Sequence, residues 1–300
     1  MDVFSCSEEK MNLLDLKESL EKNIALEAQS LFGLNNKKWF KSVTENWFND
    51  NINYDGRWQV IFDLRALKAF KILDMAAGCG TFVLYGLHSN YDVWGIEPEE
   101  WKRQYYQKKI KISDYPEKFL SHMIGGVGEN LPFKDESFDI VTTYQTLEHV
   151  KDVEKCIGEL LRVLKPDGNL YLRAPDYNCF FEPHYRLPFL PRMNKKIAGI
   201  YLKFLGKPTE GLESLNWTTQ EIILGILKKC SCPFKILDLQ QYTFQKRRSL
   251  IEEKLPKFCL MSWLVDFLNL TYEYVIKKFI KFIRIFNEEN QINLWITKGE

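Results

Sequence analysis

The residues best placed by type and spacing to do chemistry lie in one short loop. In ILDMAAGCGTF (72–82) an apolar run closes on Asp74 and opens into Ala76, Gly78 and Gly80. Small residues at alternate positions let bare backbone approach a ligand. A pyrophosphate-binding turn needs G-x-G-x-x-G, the third small residue allowing close helix–strand packing. Counted from Gly78, the third position is Val83; counted from Ala76, the first glycine is lost and the third position is Thr81. Both registers fail. The pattern that fits is acid-apolar-small-x-Gly-x-Gly, an open loop with an acid beside it, which suits a cationic amino-acid-like group better than a phosphate. On two glycines alone, a tight structural turn is a rival reading.

Glu97 strengthens the ligand reading. It closes the apolar run DVWGIE (92–97), where a strand-end carboxylate can accept both hydroxyls of a ribose. A solvated cap is the ordinary role of such an acid, but its register with the loop favours binding. S-adenosylmethionine (SAM), an adenosyl ligand bearing an ammonium and a sulfonium, meets both requirements.

These residues need rigid elements to hold them. KILDM (71–75), DVWGIE, SFDIVTTY (137–144) and NLYLRA (169–174) are apolar runs of strand length. Between them lie helix-period segments, clearest at 151–164, where Val153, Ile157, Leu160, Leu161 and Leu164 share a face. KPDG (165–168) is read as the turn into the next strand. This alternation predicts an α/β fold with ligands at the carboxyl ends of a parallel sheet. Ahead of it, 7–33 reads as a helix with Leu13, Leu16, Leu20, Ile24 and Leu31 on one stripe, capped by Ser7 and ended by Gly33. A second helix is expected over 57–69, with Trp58, Ile61, Leu64 and Leu67 inward. After residue 176 the rhythm breaks into a segment rich in Pro, aromatics and Lys/Arg (177–208). A helix (218–230), a strand (234–239), a long helical stretch (245–288) and a last strand (292–298) follow.

Within 128–172, the L-P-F, S-F-D-x-V, L-E-H-V and L-K-P-x-G elements occur in an order and spacing that resemble the class I SAM-dependent methyltransferases, in particular the small-molecule branch that includes quinone-biosynthesis enzymes. The resemblance is strong over 71–174, moderate over 216–240 and 291–298, and absent elsewhere. It implies a Rossmann-like, mostly parallel seven-stranded sheet with a helical N-terminal cap (1–69). The SAM-binding domain would then be 70–300, with insertions at 177–215 and 243–290. It also implies that Asp74, Ala76, Gly78 and Gly80 hold the methionyl end of SAM and that Glu97 binds ribose. Gly128 and Glu129 would lie by adenine, and Gln145 beneath the sulfonium. Two departures stand out: Ala76 replaces the usual first glycine, and Val127 occupies the place of an adenine-binding Asp in many relatives.

A sulfonium is already an activated leaving group, so the protein's task is in-line placement and exclusion of water; a general base is needed only for an acceptor hydroxyl of high pKa. His184, in FEPHYRLP, is the best candidate base, with Tyr185 beside it and His149 after Glu148. A loop-ordering role is the competing reading for His184 and its flanking Glu182 and Tyr185, and a packing or helix-start role for His149. His88 and His122 read as structural or surface residues.

Composition excludes several classes. Lys and Arg number 41 against 40 Asp and Glu, so global charge predicts no nucleic-acid partner. The seven cysteines are odd in number and scattered, and Cys230-Ser-Cys232 lacks a second ligand pair; no metal is expected, and a reducing, cytoplasmic setting is. No signal peptide or membrane span is apparent. The 177–215 insertion is nonetheless locally basic, and VIKKFIKFIRIF, with Lys277, Lys278, Lys281 and Arg284, is basic and amphipathic. Peripheral membrane contact is one reading; packing onto the sheet domain or a dimer partner is the favoured one. The expectation is methyl transfer from SAM to a small-molecule, glycan or lipid-intermediate acceptor, with oligomeric state open. A non-catalytic binding or scaffold module, supported by Ala76 and Val127, and a nicotinamide-dependent oxidoreductase or epimerase are the alternatives.

Overall fold

The computed structural model describes residues 12–65, 70–230, 232–242 and 291–299. The Ser7 cap, Leu67 and the whole 243–290 stretch, with the basic amphipathic run read from the sequence, lie outside the described residues.

Seven strands form one sheet: β1 (Lys71–Met75), β2 (Asp92–Glu97), β3 (Met123–Gly125), β4 (Phe138–Tyr144), β5 (Leu164–Pro175), β8 (Phe234–Asp238) and β9 (Gln291–Lys298). Their order is β3-β2-β1-β4-β5-β9-β8, and β9 runs antiparallel to both neighbours. This is the Rossmann-like, mostly parallel sheet expected. Leu73, Val93, Ile140, Val141, Leu170 and Leu172 are completely buried, because a parallel sheet is covered on both faces and its strands read as continuous apolar runs. β1 lies between β2 and β4, so the crossovers diverge there and leave a crevice at the strands' carboxyl ends.

Helices cover both faces. α4 (Thr81–His88) follows β1, α5 (Glu100–Ile112) follows β2, α6 (Val153–Val163) follows β4, and α9 (Gln220–Lys229) precedes β8. The predicted 151–164 helix is α6: Ile157, Leu160 and Leu161 are buried as expected, and Asp152 caps its start by accepting the Lys155 amide at 2.9 Å. KPDG does not separate this helix from a new strand. It is an irregularity within β5, where Phe138 pairs with Leu164 and Ile140 with Asn169, and Asp167 adopts a left-handed φ of 59°.

The N-terminal helices are α1 (Leu13–Phe32), α2 (Lys37–Phe48) and α3 (Arg57–Leu64). Gly33 ends α1 with φ 61°, as expected, but Asn12 caps it, in a reciprocal capping box with Asp15. The buried stripe is Leu16, Leu20, Ile24, Ala28 and Phe32; Leu13 points to solvent. α2 has no counterpart in the sequence reading, although Trp39, Phe40, Val43 and Trp47 of its KKWFKSVTENWF run share one helical face; only Phe40 and Thr44 are fully buried. α1 and α2 share one apolar cluster with α7 (Lys195–Phe204) and α8 (Glu210–Glu213) of the 177–215 segment. That segment also holds a hairpin, β6 (Phe181–Glu182) with β7 (Leu187–Pro188).

Candidate active site

The chain after β1 makes three left-handed steps, Ala76 (φ 59°), Gly78 (φ 56°) and Gly80 (φ 80°). The alternation of small residues therefore reflects backbone geometry, with Ala76 tolerating a region that disfavours a Cβ. The two glycines serve different ends. A Cβ on Gly80 would lie 2.3 Å from the Tyr106 ring, so Gly80 allows α4 to pack on α5. A Cβ on Gly78 would meet nothing within 4 Å, so its backbone faces open space, as a ligand-facing residue must.

Glu97 ends β2 beside this loop. Its Oε2 accepts the Gly78 amide at 2.8 Å and its Oε1 the Glu99 amide at 3.0 Å. Burial pushes the Glu97 carboxyl above its ordinary range, against the opposing pull of Lys102 and those two amides.

Asp74 lies beneath the loop and is engaged through one of its two oxygens. Its Oδ1 is already taken, 2.6 Å from Arg57 Nη1 and 2.6 Å from Thr142 Oγ1, which donate to it. Arg57 is itself buried, bonded through Nε to Asp55 at 2.7 Å and stacked over Phe82 and Tyr144. Burial alone would lower the guanidinium's pKa, but Asp74 and Asp55 hold it above the ordinary value. Asp74 Oδ2 is buried and has no hydrogen-bond partner among the described residues. Arg57 was missed in the sequence; the only signal was an Asp-Gly-Arg-Trp step whose Asp55 pre-orders the side chain.

Gly128 and Glu129 follow β3. Gly128 is buried against Cys156 and Met75, and Glu129 accepts the Lys151 amide at 2.6 Å, which ties this loop to the start of α6. Val127 is 46% exposed. Gln145 ends β4 in a left-handed conformation, φ 53°, its amide held by Arg173. The loop residues, Glu97, Gly128, Glu129 and Gln145 thus all lie at the carboxyl ends of β1 to β4.

The three candidate catalytic side chains do not stay together. His149 and His184 meet, Nε2 to Nε2, at 3.1 Å, and His184 Nδ1 is 2.8 Å from Glu182 Oε1. Although 37% of the His149 side chain reaches solvent, its ring nitrogen turns inward on His184; desolvation, then His184, hold the imidazole well below its ordinary range. Tyr177 joins the group through Glu182 at 3.3 Å and packs at a tilt against Trp217. Tyr185 points away. Its hydroxyl bonds the Leu31 carbonyl at 3.4 Å, it packs edge-on to Phe32, and burial pushes its pKa up to about 12. Glu148 brings a carboxylate oxygen to 3.9 Å from His149 and 4.0 Å from His184, a donor set with the ligand types of a divalent cation. Beside this cluster a cavity of about 390 Å³ opens between Lys151, Asp152, Trp217 and Ile222. His88 and His122 are structural: His88 packs on Tyr115 and Phe119, and His122 bonds the Val93 carbonyl.

Residues 73–172 match the family model of the methyltransferase domain. Demethylmenaquinone methyltransferase of Clavibacter sepedonicus is 33% identical over 167 residues, covering 53% of this chain and 63% of that protein. An uncharacterised methyltransferase of Schizosaccharomyces pombe is 31% identical over 144 residues, covering 43% of this chain and 49% of that protein. The chain thus spans less than two thirds of either relative. Among solved structures, phosphoethanolamine N-methyltransferase 2 of Haemonchus contortus in complex with SAM superposes with a TM-score of 0.50 at 16% identity, covering 85% of this chain and 55% of that one, a likeness of fold. Residues 73–172 are thus similar in sequence to class I SAM-dependent methyltransferases, over the stretch that carries the motifs. Among the described residues, no helix is long and apolar enough to cross a membrane.

Proposed function

We propose that this chain is a SAM-dependent methyltransferase acting on a small-molecule, glycan or lipid-intermediate acceptor. The observation that carries the reading is the pairing of the Gly78 backbone, which faces open space, with the Glu97 carboxylate that grips its amide. The orphaned, buried Asp74 Oδ2 fits a cationic ammonium at the methionyl end. SAM supplies, when bound, a methyl group on a sulfonium leaving group.

The chain's own residues divide the remaining work. Asp74 and Arg57 form a fixed charge pair beneath the loop, and Arg57 keeps Asp74 from rotating out of it. Glu97 holds the loop and offers acceptor oxygens to ribose hydroxyls. Gly128, Glu129 and Gln145 line the same strand ends. On the acceptor side, a neutral His149 and its partner His184 are placed to take a proton from an acceptor hydroxyl, with Glu182 orienting His184. We read residues 1–69 as a cap and 177–215 as the acceptor-side wall of a domain running over 70–300.

Calorimetry with SAM, S-adenosylhomocysteine and NAD tests the cofactor assignment: heat from the first two and none from NAD is expected, and the reverse overturns it. A screen of acceptors with methyl-labelled SAM then identifies the acceptor class. Cofactor binding without transfer to any acceptor would favour the binding-module alternative.

A further inference from the structure

The hairpin that carries Glu182 and His184 leads into α7, a helix with two unlike faces. Ala198 and Leu202 are fully buried in the cluster that includes Phe32 and Leu212, which fixes α7 to the body of the protein. Away from that cluster, Ile197, Ile200 and Phe204 are 56%, 70% and 86% exposed, and Leu190, just ahead of the helix, is 61% exposed. The spacing i, i+3, i+7 makes the three helical residues one stripe, and Lys196 and Lys203, both exposed, run along its edge. From Pro183 to Thr209 the chain carries Arg186, Arg192, Lys195, Lys196, Lys203 and Lys207 and no Asp or Glu.

A contiguous exposed apolar stripe marks a contact surface, and its flanking charge indicates the partner. A second copy packed face to face would set two lysine edges together, with no acid in the segment to pair them. An anionic bilayer satisfies both features, because apolar side chains enter the headgroup–acyl boundary while lysines remain at phosphate level.

We propose that α7 is an interfacial helix that docks the protein on an anionic lipid bilayer. The docking itself is independent of the proposed activity. Its consequence rests on that activity: with His184 on the adjoining hairpin, docking sets the acceptor side at the membrane and makes a lipid-borne acceptor the favoured class. The surface is distinct from the Lys277–Arg284 segment that the sequence suggested.

The test is flotation of the full chain, without cofactor or acceptor, on vesicles of phosphatidylcholine alone or mixed with phosphatidylglycerol, at low and high salt. The variants are Ile200→Ser/Phe204→Ser and Lys196→Gln/Lys203→Gln. Binding to the mixed vesicles is expected, weakened by salt. The lysine pair should lower it roughly 30-fold at low salt, about five-fold per charge. The apolar pair should abolish it with an unchanged melting temperature, since both side chains are largely exposed. Failure of the wild type to float, or undiminished flotation of Ile200→Ser/Phe204→Ser, overturns the proposal. So does a dimer, seen by light scattering, that this variant dissociates. SAM binding measured on the same samples keeps the two readings apart: no flotation with intact SAM binding sinks the docking alone, and the converse sinks the methyltransferase assignment alone.

Discussion

The Glu97 carboxylate accepts the Gly78 amide at 2.8 Å, joining the end of β2 to the loop after β1 before any ligand arrives. One acid therefore shapes the glycine loop and presents oxygens to whatever lies against it. Glu97→Ala should weaken SAM binding by about 10- to 150-fold, the loss of charge-assisted hydrogen bonds worth about 1.5–3 kcal/mol. Glu97→Gln, which retains one acceptor oxygen, should lose less. Unchanged affinity in a folded Glu97→Ala protein, measured by calorimetry, would refute the ribose role.

The same residue sets a pH dependence. Burial raises the folded-state pKa of Glu97 above its ordinary 4.5. For a raised carboxyl, the stability it contributes is complete below the unfolded pKa and is lost as pH rises through the folded one. SAM-free protein should thus lose part of its stability as pH climbs from about 4.5 through that raised value. Cofactor affinity should move the other way, weakening as pH falls through the same window, because ribose hydroxyls donate to the ionised form. Titrations of wild type and Glu97→Gln over this range check both signs; parallel curves would remove Glu97 as the source.

Ala76 and Gly80 test the loop from two directions. Ala76→Gly relieves a left-handed alanine at φ 59° and should be neutral or stabilising by up to about 1 kcal/mol, with SAM affinity retained. Gly80→Ala drives a methyl into Tyr106 at a φ of 80° and should cost about 1–3 kcal/mol or more. Denaturant melts distinguish the two; a destabilised Ala76→Gly would mean that the alanine methyl makes a contact worth more than the strain.

Arg57 is held to a stricter account. Arg57→Met leaves the Asp74 charge buried beside Thr142 without its cation, and removing one partner of such a pair costs about 3–5 kcal/mol. Arg57→Met combined with Asp74→Asn should recover part of that loss while leaving SAM binding weak. Full recovery of binding in the double variant would show the pair to be purely structural.

Six strands of the sheet were legible as apolar runs of strand length, whereas the three-residue β3, nowhere fully buried, was not; the loop was legible because left-handed backbone demands small residues. Glu97 and Gly78 could be placed in register because both sit at strand ends. What sequence could not give were contacts made across the fold. Arg57 lies on a helix ahead of the sheet, and although Asp55 beside it is a local partner, nothing in the sequence links it to Asp74. Tyr185 is adjacent to His184 in sequence and both rings touch Phe32, but the Tyr185 hydroxyl turns to the Leu31 carbonyl and not to the histidine pair. α2 did carry a periodic signal, Trp39, Phe40, Val43 and Trp47 on one face, which the reading of the sequence passed over. His149 and His184 were singled out separately, and only the hairpin return brings their rings together.

That meeting yields the sharpest test of mechanism. If the His149–His184 pair takes the acceptor proton, His149→Gln and His184→Gln should each lower kcat by about 10²- to 10⁴-fold while SAM affinity stays within two-fold or so. Glu182→Gln acts through His184 and is a positioning change: it should lower kcat less and shift the pH profile. Because desolvation and the neighbouring imidazole hold His149 well below its ordinary range, it stays an unprotonated base in mildly acidic solution. The acid limb of kcat should accordingly fall below the usual histidine pKa of about 6.5. An acid limb at that ordinary value, or histidine variants with wild-type kcat, would leave the pair as a tie between the segment ahead of α6 and the hairpin. The acceptor would then be a nucleophile that needs no base.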